Sequence, residues 1–183
     1  MVIAISAREV FTERLIMTEL MSDGITAEDE IPYITIYCDG ACRPNPGKGG
    51  IGVVMRYKAA YRTISKGFQL TTNTRMEMTA MIVALEQIKI RTIPIKLYSD
   101  SKFVINGATN KNAKRKMNLD LWAQLDRLLL YLDVEIIWVK GHSGIPDNVE
   151  ADKIAYRAAM NKDKHYIDYG YIDRLNNTKK KDS

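Results

Sequence analysis

This chain predicts an α/β fold: a five-stranded mixed sheet, an antiparallel meander plus βα units, with helices on both faces. Two patterns carry that expectation. Three strand-like runs rich in Ile, Val, Tyr and Thr come first, joined by short turns, which is how a meander reads. Further strand-like runs then alternate with segments of helical period, the pattern of βα units. The length of 183 residues suits one domain able to bury a proper core.

The elements follow in order. Over residues 1–22, Val10, Phe11, Leu15, Met17, Leu20 and Met21 form an imperfect apolar stripe that predicts a helix, ended by Gly24. The acidic run Glu28-Asp29-Glu30 then leads to Pro32. Residues 1–32 are read as an appendage; docking on the domain, contact with a protein partner and mobility all stay open for it. The main domain is expected over 33–161. From Tyr33 to Cys38, Ile34, Ile36 and Cys38 alternate with Tyr33, Thr35 and Tyr37, and this first strand is expected to end at Asp39. The glycine-rich stretch 40–50 is expected as a loop, followed by strands at about 51–57 and 61–70.

Thr74 or Asn73 is expected to cap the next helix, with Glu77 in its opening turn. Its residues Met76, Ala80, Met81, Val83, Ala84, Leu85 and Ile88 predict burial on most sides. A fourth strand at 95–99 leads to a short helix near 101–107, a basic turn at 111–116 and a helix near 119–132. The fifth strand, 134–139, is followed by a Gly-flanked loop and a helix at 147–160. Residues 162–183 are polar, hold Lys179-Lys180-Lys181, and are expected to form a flexible tail.

Composition excludes several classes. With 46% hydrophobic and 27% charged residues the chain reads as globular, not disordered. No apolar run approaches the ~20 residues of a membrane span, and the N-terminus lacks a basic start and small-residue cleavage site. A cytoplasmic protein is expected. Cys38 and Cys42 have no companion Cys or His pair for zinc, so reduced thiols are expected. The net charge of +5 is asymmetric: residues 1–33 set two Arg against seven acids, a net of −5, which leaves +10 on the remainder. A basic field of that kind attracts phosphates.

Within that basic remainder, four acids stand where a carboxylate has little reason to be. Asp39 and Asp100 each follow a strand-like run, Glu77 interrupts an apolar helix, and Asp152 opens a later one. Desolvated carboxylates are costly unless something positive sits among them. Hard divalent cations prefer oxygen ligands and are the usual solution. The pattern points to a metal-dependent phosphoryl-transfer site that takes Mg²⁺ or Mn²⁺. His142, in a Gly-flanked loop, suits proton movement near neutral pH.

Four segments, in order, resemble a type 1 ribonuclease H: Tyr-Cys-Asp-Gly-Ala-Cys-Arg-Pro-Asn-Pro-Gly at 37–47, Thr-Thr-Asn-Thr-Arg-Met-Glu-Met at 71–78, Tyr-Ser-Asp-Ser-Lys-Phe-Val at 98–104, and Trp-Val-Lys-Gly-His-Ser-Gly at 138–144 with Asn-Val-Glu-Ala-Asp-Lys-Ile-Ala at 148–155. The resemblance implies a ribonuclease H-like fold and an endoribonuclease that cuts the RNA strand of RNA–DNA hybrids. It implies 5′-phosphate and 3′-hydroxyl products, and service in primer removal or R-loop clearance during DNA replication. Asp39, Glu77, Asp100 and Asp152 become the ligands of two Mg²⁺ (or Mn²⁺ as substitute) ~4 Å apart that clamp the scissile phosphate, with Asp39 bridging both ions. His142 assists catalysis and product departure. Cys42, Asn45, Asn73 and Glu77 would face the RNA strand, while Thr72 and Asn118 would hold a phosphate of the DNA strand. Gly40 and Arg75 complete the expected substrate set, together with Lys114, Arg115 and Lys116 in the basic turn. A monomer is expected.

Two departures from the family pattern bear on binding. Leu70 stands where an Arg often completes the DNA-phosphate pocket, and no Trp-rich basic protrusion is inserted beside Lys111–Lys116. Weaker hybrid binding with stronger salt dependence is therefore expected. The rival readings are a different nuclease or recombinase on the same fold, a non-catalytic hybrid-binding module, and a piece of a reverse-transcriptase polyprotein. A module without chemistry should have lost one of the four acids, and none is missing.

Overall fold

The structure is a computed structural model that describes residues 33–141, 143–161 and 165–180. The expected N-terminal helix and acidic linker, His142 and Lys181 lie outside the described residues. The elements run β1 (Ile34–Arg43), β2 (Gly47–Tyr57), β3 (Ala60–Thr71), α1 (Asn73–Leu85), β4 (Ile95–Ser99), α2 (Lys102–Thr109), α3 (Leu119–Tyr131), β5 (Val134–Trp138), α4 (Pro146–Met160), β6 (His165–Tyr166) and α5 (Tyr169–Lys179). One mixed sheet has the order β5-β4-β1-β2-β3-β6. The meander pairs antiparallel, while β4 joins β1, β5 joins β4 and β6 joins β3 in parallel. The α/β reading holds; the sheet gains one short sixth strand. No helix among the described residues is long and apolar enough to cross a membrane.

The core lies between the sheet and α1, with Ile36, Cys38, Ile51 and Val53 from the sheet meeting Met76, Met81 and Leu85. Trp122 and Leu125 of α3 extend the same cluster. On the sheet's other face α4 presses its small residues Ala151, Ala155 and Ala158 onto β2. Alternating burial along β1 sets its Ile36, Cys38, Gly40 and Cys42 inward, as the two-residue period of a strand requires.

Four local expectations need correction. Asp39 does not end β1, because the ladder continues through Gly40↔Ile51 and Cys42↔Gly49 to Arg43. The glycines of 40–50 serve close packing and not looseness: a Cβ on Gly50 would stand 2.3 Å from the Ala155 carbonyl oxygen. Glu77 lies beyond the first turn of α1, whose N-cap is Thr72 and which holds no acid in that turn. Asp152 likewise lies within α4, not at its opening, since the helix starts at Pro146 and its first-turn acid is Asp147.

A fifth correction is larger. The expected flexible tail forms β6 and α5, and the anchor is electrostatic. Asp168 caps α5 by accepting from the Tyr171 backbone N–H. Its carboxylate also takes two hydrogen bonds of 2.7 Å from Arg75 and one of 2.6 Å from the Thr71 hydroxyl. Neither partner is near in sequence, so polar composition alone concealed the docking.

Candidate active site

The site is built by register. Asp39 on β1 lies directly opposite Gly52 on β2, so the two share one face of the sheet. A Cβ on Gly52 would fall 2.0 Å from the Ala151 carbonyl oxygen. Helix α4 therefore rests on the sheet at that point, and its next residue is Asp152. The missing side chain is what lets it come so close.

Asp100 arrives along the neighbouring strand. Tyr37 and Tyr98 pair across β1 and β4, their rings stacked with centroids 4.6 Å apart. Two residues further on, the same side-by-side relation falls to Asp39 and Asp100. The Trp138 indole N–H donates to the Asp100 carbonyl oxygen at 3.1 Å and fixes the chain there. Gly141 passes over the carboxylate so closely that a Cβ would lie 2.5 Å from Asp100 Oδ2. The N-cap of α2 is Ser101, so Asp100 is not spent as a cap.

Glu77 comes from the opposite layer. A Cβ on Gly40 would meet the Glu77 backbone nitrogen at 2.2 Å, so α1 is pressed against β1 beside Asp39. Two donors orient the Glu77 carboxylate: Asn73 Nδ2 at 2.9 Å and the Ser101 hydroxyl at 2.5 Å. Asn45 Oδ1 in turn accepts from the Asn73 backbone N–H at 3.1 Å. Three of the residues expected on the RNA side are thus joined in one chain.

The electrostatics are those of crowded acids. Burial first, then Asp100, pushes the Asp39 carboxyl up to about 7, with Asp152 and Glu77 adding to the rise against the Gly40 N–H bond. Burial also raises Glu77, against the pull of the Ser101 and Asn73 hydrogen bonds. Among the described residues no three His, Cys, Asp or Glu side chains are already gathered as a ligand set. Fit to a cation rests instead on chemistry: oxygen donors only, at a place where negative charge raises the cost of its neighbours. A small, hard divalent ion that retains several waters suits such a half-open set. Asp39, Glu77, Asp100 and Asp152 would hold it.

The remaining expected substrate residues divide. Thr72 is the half-buried N-cap of α1. Asn118 is buried in the left-handed region, φ 57°. Cys42 departs from expectation, because its buried thiol faces the carbonyl oxygens of Pro44 and Thr71 at 3.2 and 3.4 Å. Arg75 departs further. It is 2% exposed and grips Asp168 and Asp120 with hydrogen bonds of 2.6–2.9 Å, a structural post that leaves it nothing to offer a substrate. Arg115 is also engaged, by Asp126, by the Gly107 carbonyl oxygen at 2.9 Å and by the Trp122 ring. Lys114 and Lys116 are exposed.

Sequence reasoning missed Ser101, Asp120 and Asp168. A serine directly after a suspected ligand was the available signal for Ser101. The other two act across long separations and left none.

Comparison with known proteins agrees with the motifs. The RNase H family matches residues 32–160, well over half of the chain. The Ribonuclease H of Trichodesmium erythraeum is 43% identical over 143 residues, spanning 71% of this chain and 90% of that protein. That of Salmonella arizonae is 41% identical over 153 residues, spanning 77% and 97%. Among solved structures, RNase H1 from the archaeon Halobacterium salinarum NRC-1 aligns with TM-score 0.59 at 27% identity, covering 71% of this chain and 99% of that one. LC11-RNase H1, solved in complex with an RNA/DNA hybrid, aligns with TM-score 0.61 at 23% identity over 69% and 96%, a likeness of fold alone. By sequence match and by architecture together, this chain belongs to the ribonuclease H family and is a ribonuclease.

Proposed function

We propose that the protein is an endoribonuclease that hydrolyses the RNA strand of RNA–DNA hybrids and leaves 5′-phosphate and 3′-hydroxyl ends. The observation that carries the reading is the close approach to β1 of the elements that bear the other acids, with α1 pressed on Gly40 beside Asp39 and α4 resting on Gly52 opposite it. Burial, helped by the charges of Asp100, Asp152 and Glu77, pushes Asp39 up to about 7. The structure of LC11-RNase H1 with an RNA/DNA hybrid supports the substrate class. Two Mg²⁺ ions, with Mn²⁺ as substitute, would supply an activated water and charge neutralisation at the leaving 3′-oxygen.

The chain's own groups do the rest. Asp39, Glu77, Asp100 and Asp152 hold the ions, and Ser101 and Asn73 keep the Glu77 oxygens aimed. Asn45, Asn73 and the Gly40 backbone read 2′-hydroxyls on the RNA strand, the groups that separate RNA from DNA. Thr72 and Asn118 position a phosphate of the DNA strand. His142, which follows Gly141 in sequence, moves a proton as product departs. The role belongs to primer removal or R-loop clearance by a cytoplasmic monomer.

The test is cleavage of end-labelled RNA–DNA, RNA–RNA and DNA–DNA duplexes, with Mg²⁺ and with chelator, by wild type and Asp39→Asn. Cutting of the hybrid's RNA strand alone, lost with chelator and in the variant, is the expected result. Binding without cutting would make this a hybrid-binding module; cutting of another duplex would overturn the substrate reading.

A further inference from the structure

An open groove of about 640 Å³ lies between the turn entering α3 and the C-terminal helix α5. Lys116 and Asn118 line one side, and Arg174, Asn177 and Thr178 the other. We infer that this groove is a second track for the sugar-phosphate backbone of the DNA strand, with Arg174 as its principal contact. The inference rests on the hybrid-cleaving function proposed above and extends the DNA path beyond Thr72 and Asn118.

Spacing supports it first. Gly170, Arg174, Asn177 and Thr178 recur at intervals of three and four, so they share one face of α5. That face looks into the groove. Placement is the second support. A Cβ on Gly170 would stand 2.1 Å from Asp120 Oδ2 and 2.6 Å from Arg75 Nη2, so α5 is seated tightly on the ion-pair cluster. Arg75 belongs to α1, the helix that carries Glu77 and begins beside Thr72. The groove is therefore rigidly tied to the catalytic carboxylates, as a positioning contact must be.

Charge is the third. Asp120, an acid on the groove wall, is turned toward Arg75 by a two-pronged bond of 2.9 and 2.6 Å and shares that single positive charge with buried Asp168. Asp173 is the remaining acid, opposed by the exposed Arg174 and Lys116. Asn118, held in the left-handed region, keeps its Oδ1 3.4 Å from Arg75 Nη1, which leaves the amide NH₂ as its offer to a ligand. The Thr178 hydroxyl is spent on the Arg174 carbonyl oxygen, and Met117 and Leu119 add apolar lining. The guanidinium, ammonium and amide donors that remain, without an aromatic wall, suit phosphates and not stacked bases. A backbone track here also compensates for the absent Trp-rich protrusion.

The test uses the full chain, with Arg174→Ala, Arg174→Lys and Asn177→Asp. Hybrid affinity is measured in chelator across a salt series, and KM and kcat with Mg²⁺. For Arg174→Ala the expected result is KM and Kd raised roughly 3–10-fold, kcat within about twofold of wild type, and a salt slope shallower by about 0.9. Arg174→Lys should recover most of the affinity, and Asn177→Asp should weaken binding by repulsion. Methylphosphonate linkages placed along the DNA strand should weaken wild type but add no further loss to Arg174→Ala. Unchanged Kd, KM and salt slope in both Arg174→Ala and Asn177→Asp, at unchanged Tm, would overturn the track. Failure of wild type to cut the hybrid would instead overturn the function it rests on.

Discussion

Arg75 and Asp168, 93 positions apart in sequence, are joined by two hydrogen bonds of 2.7 Å, with side-chain exposures of 2% and 7%. This pair turns a polar tail into a docked helix. Removing Asp168 strips two charge-assisted hydrogen bonds from Arg75, which keeps Asp120 as its partner, and costs on the order of 1.5–3 kcal/mol. Asp168→Ala should therefore lower stability by that order in denaturant titration, and release α5 to hydrogen exchange. Arg75→Met combined with Asp168→Leu should cost less than the sum of the single changes. Additive costs would show that the pair does not act as a unit.

Gly40 supports a sharper prediction, since it joins two catalytic elements. The added methyl of Gly40→Ala would have to displace the backbone of Met76 and Glu77, not a flexible side chain. Overpacking of this kind costs on the order of 1–3 kcal/mol. Displaced carboxylates lose more in rate than in stability, about 100-fold for an ångström of misplacement. The check is kcat at a temperature where circular dichroism shows the variant folded; near-normal kcat there would refute the close-approach argument.

Ser101 tests how the site is held. Its hydroxyl hydrogen bond to Glu77 Oε2 is 2.5 Å long, and Ser101 is nearly buried. Groups that orient metal ligands typically contribute 10–100-fold in metal affinity. Ser101→Ala should raise the Mg²⁺ concentration for half-maximal activity by about tenfold, while saturating Mg²⁺ restores most of kcat. Glu77→Gln should not be restored. An unshifted Mg²⁺ curve for Ser101→Ala would assign the hydroxyl a purely structural part.

How far the sequence disclosed this arrangement depended on range. Three of the four acids were legible because each breaks a local pattern, two at the ends of apolar alternations and one inside an apolar helix. The βα order was legible from local pattern too. Asp152, an ordinary acid for a helix, was legible mainly through the family motif around it. Gly40, Gly49 and Gly50 misled, because composition does not separate a glycine kept for looseness from one kept for contact with a helix. Asp168 and Asp120 were silent, since an ion pair across 93 or 45 positions has no period. Arg75 was misread as a ligand group because its motif neighbours are, and only burial shows that its guanidinium faces inward.

The crowding of acids predicts an unusual pH dependence for the metal-free protein. Asp39 is pushed up to about 7 from the ordinary carboxylate range near 4. Between those values the folded state binds more protons than the unfolded chain, so stability falls as pH rises through that window. The full shift corresponds to at most ~4 kcal/mol, and solvent reaching a half-buried site reduces this to on the order of 1–2 kcal/mol. In chelator, Tm should fall from pH 5 to pH 8, and Asp39→Asn should flatten the decline. Mg²⁺ at pH 8 should raise Tm in wild type more than in the variant. A Tm that rises over the same window in chelator would contradict the electrostatic reading of the site.

The basic turn divides into two kinds of residue, and mutation should separate them. Arg115 is bound on three sides, by Asp126, the Gly107 carbonyl oxygen and the Trp122 ring at 4.3 Å. Its loss removes packing and a hydrogen bond to backbone, so Arg115→Ala should cost about 1–2 kcal/mol of stability. Lys114 and Lys116 are exposed, and their replacement by Ala should leave Tm unchanged. If they meet phosphates, each loss reduces the salt slope of hybrid binding by about 0.9. Replacing all three together would confuse the two effects; the single variants, read by Tm and by salt titration, keep them apart. Weakened binding in Arg115→Ala at unchanged Tm would reverse the assignment and return Arg115 to the substrate.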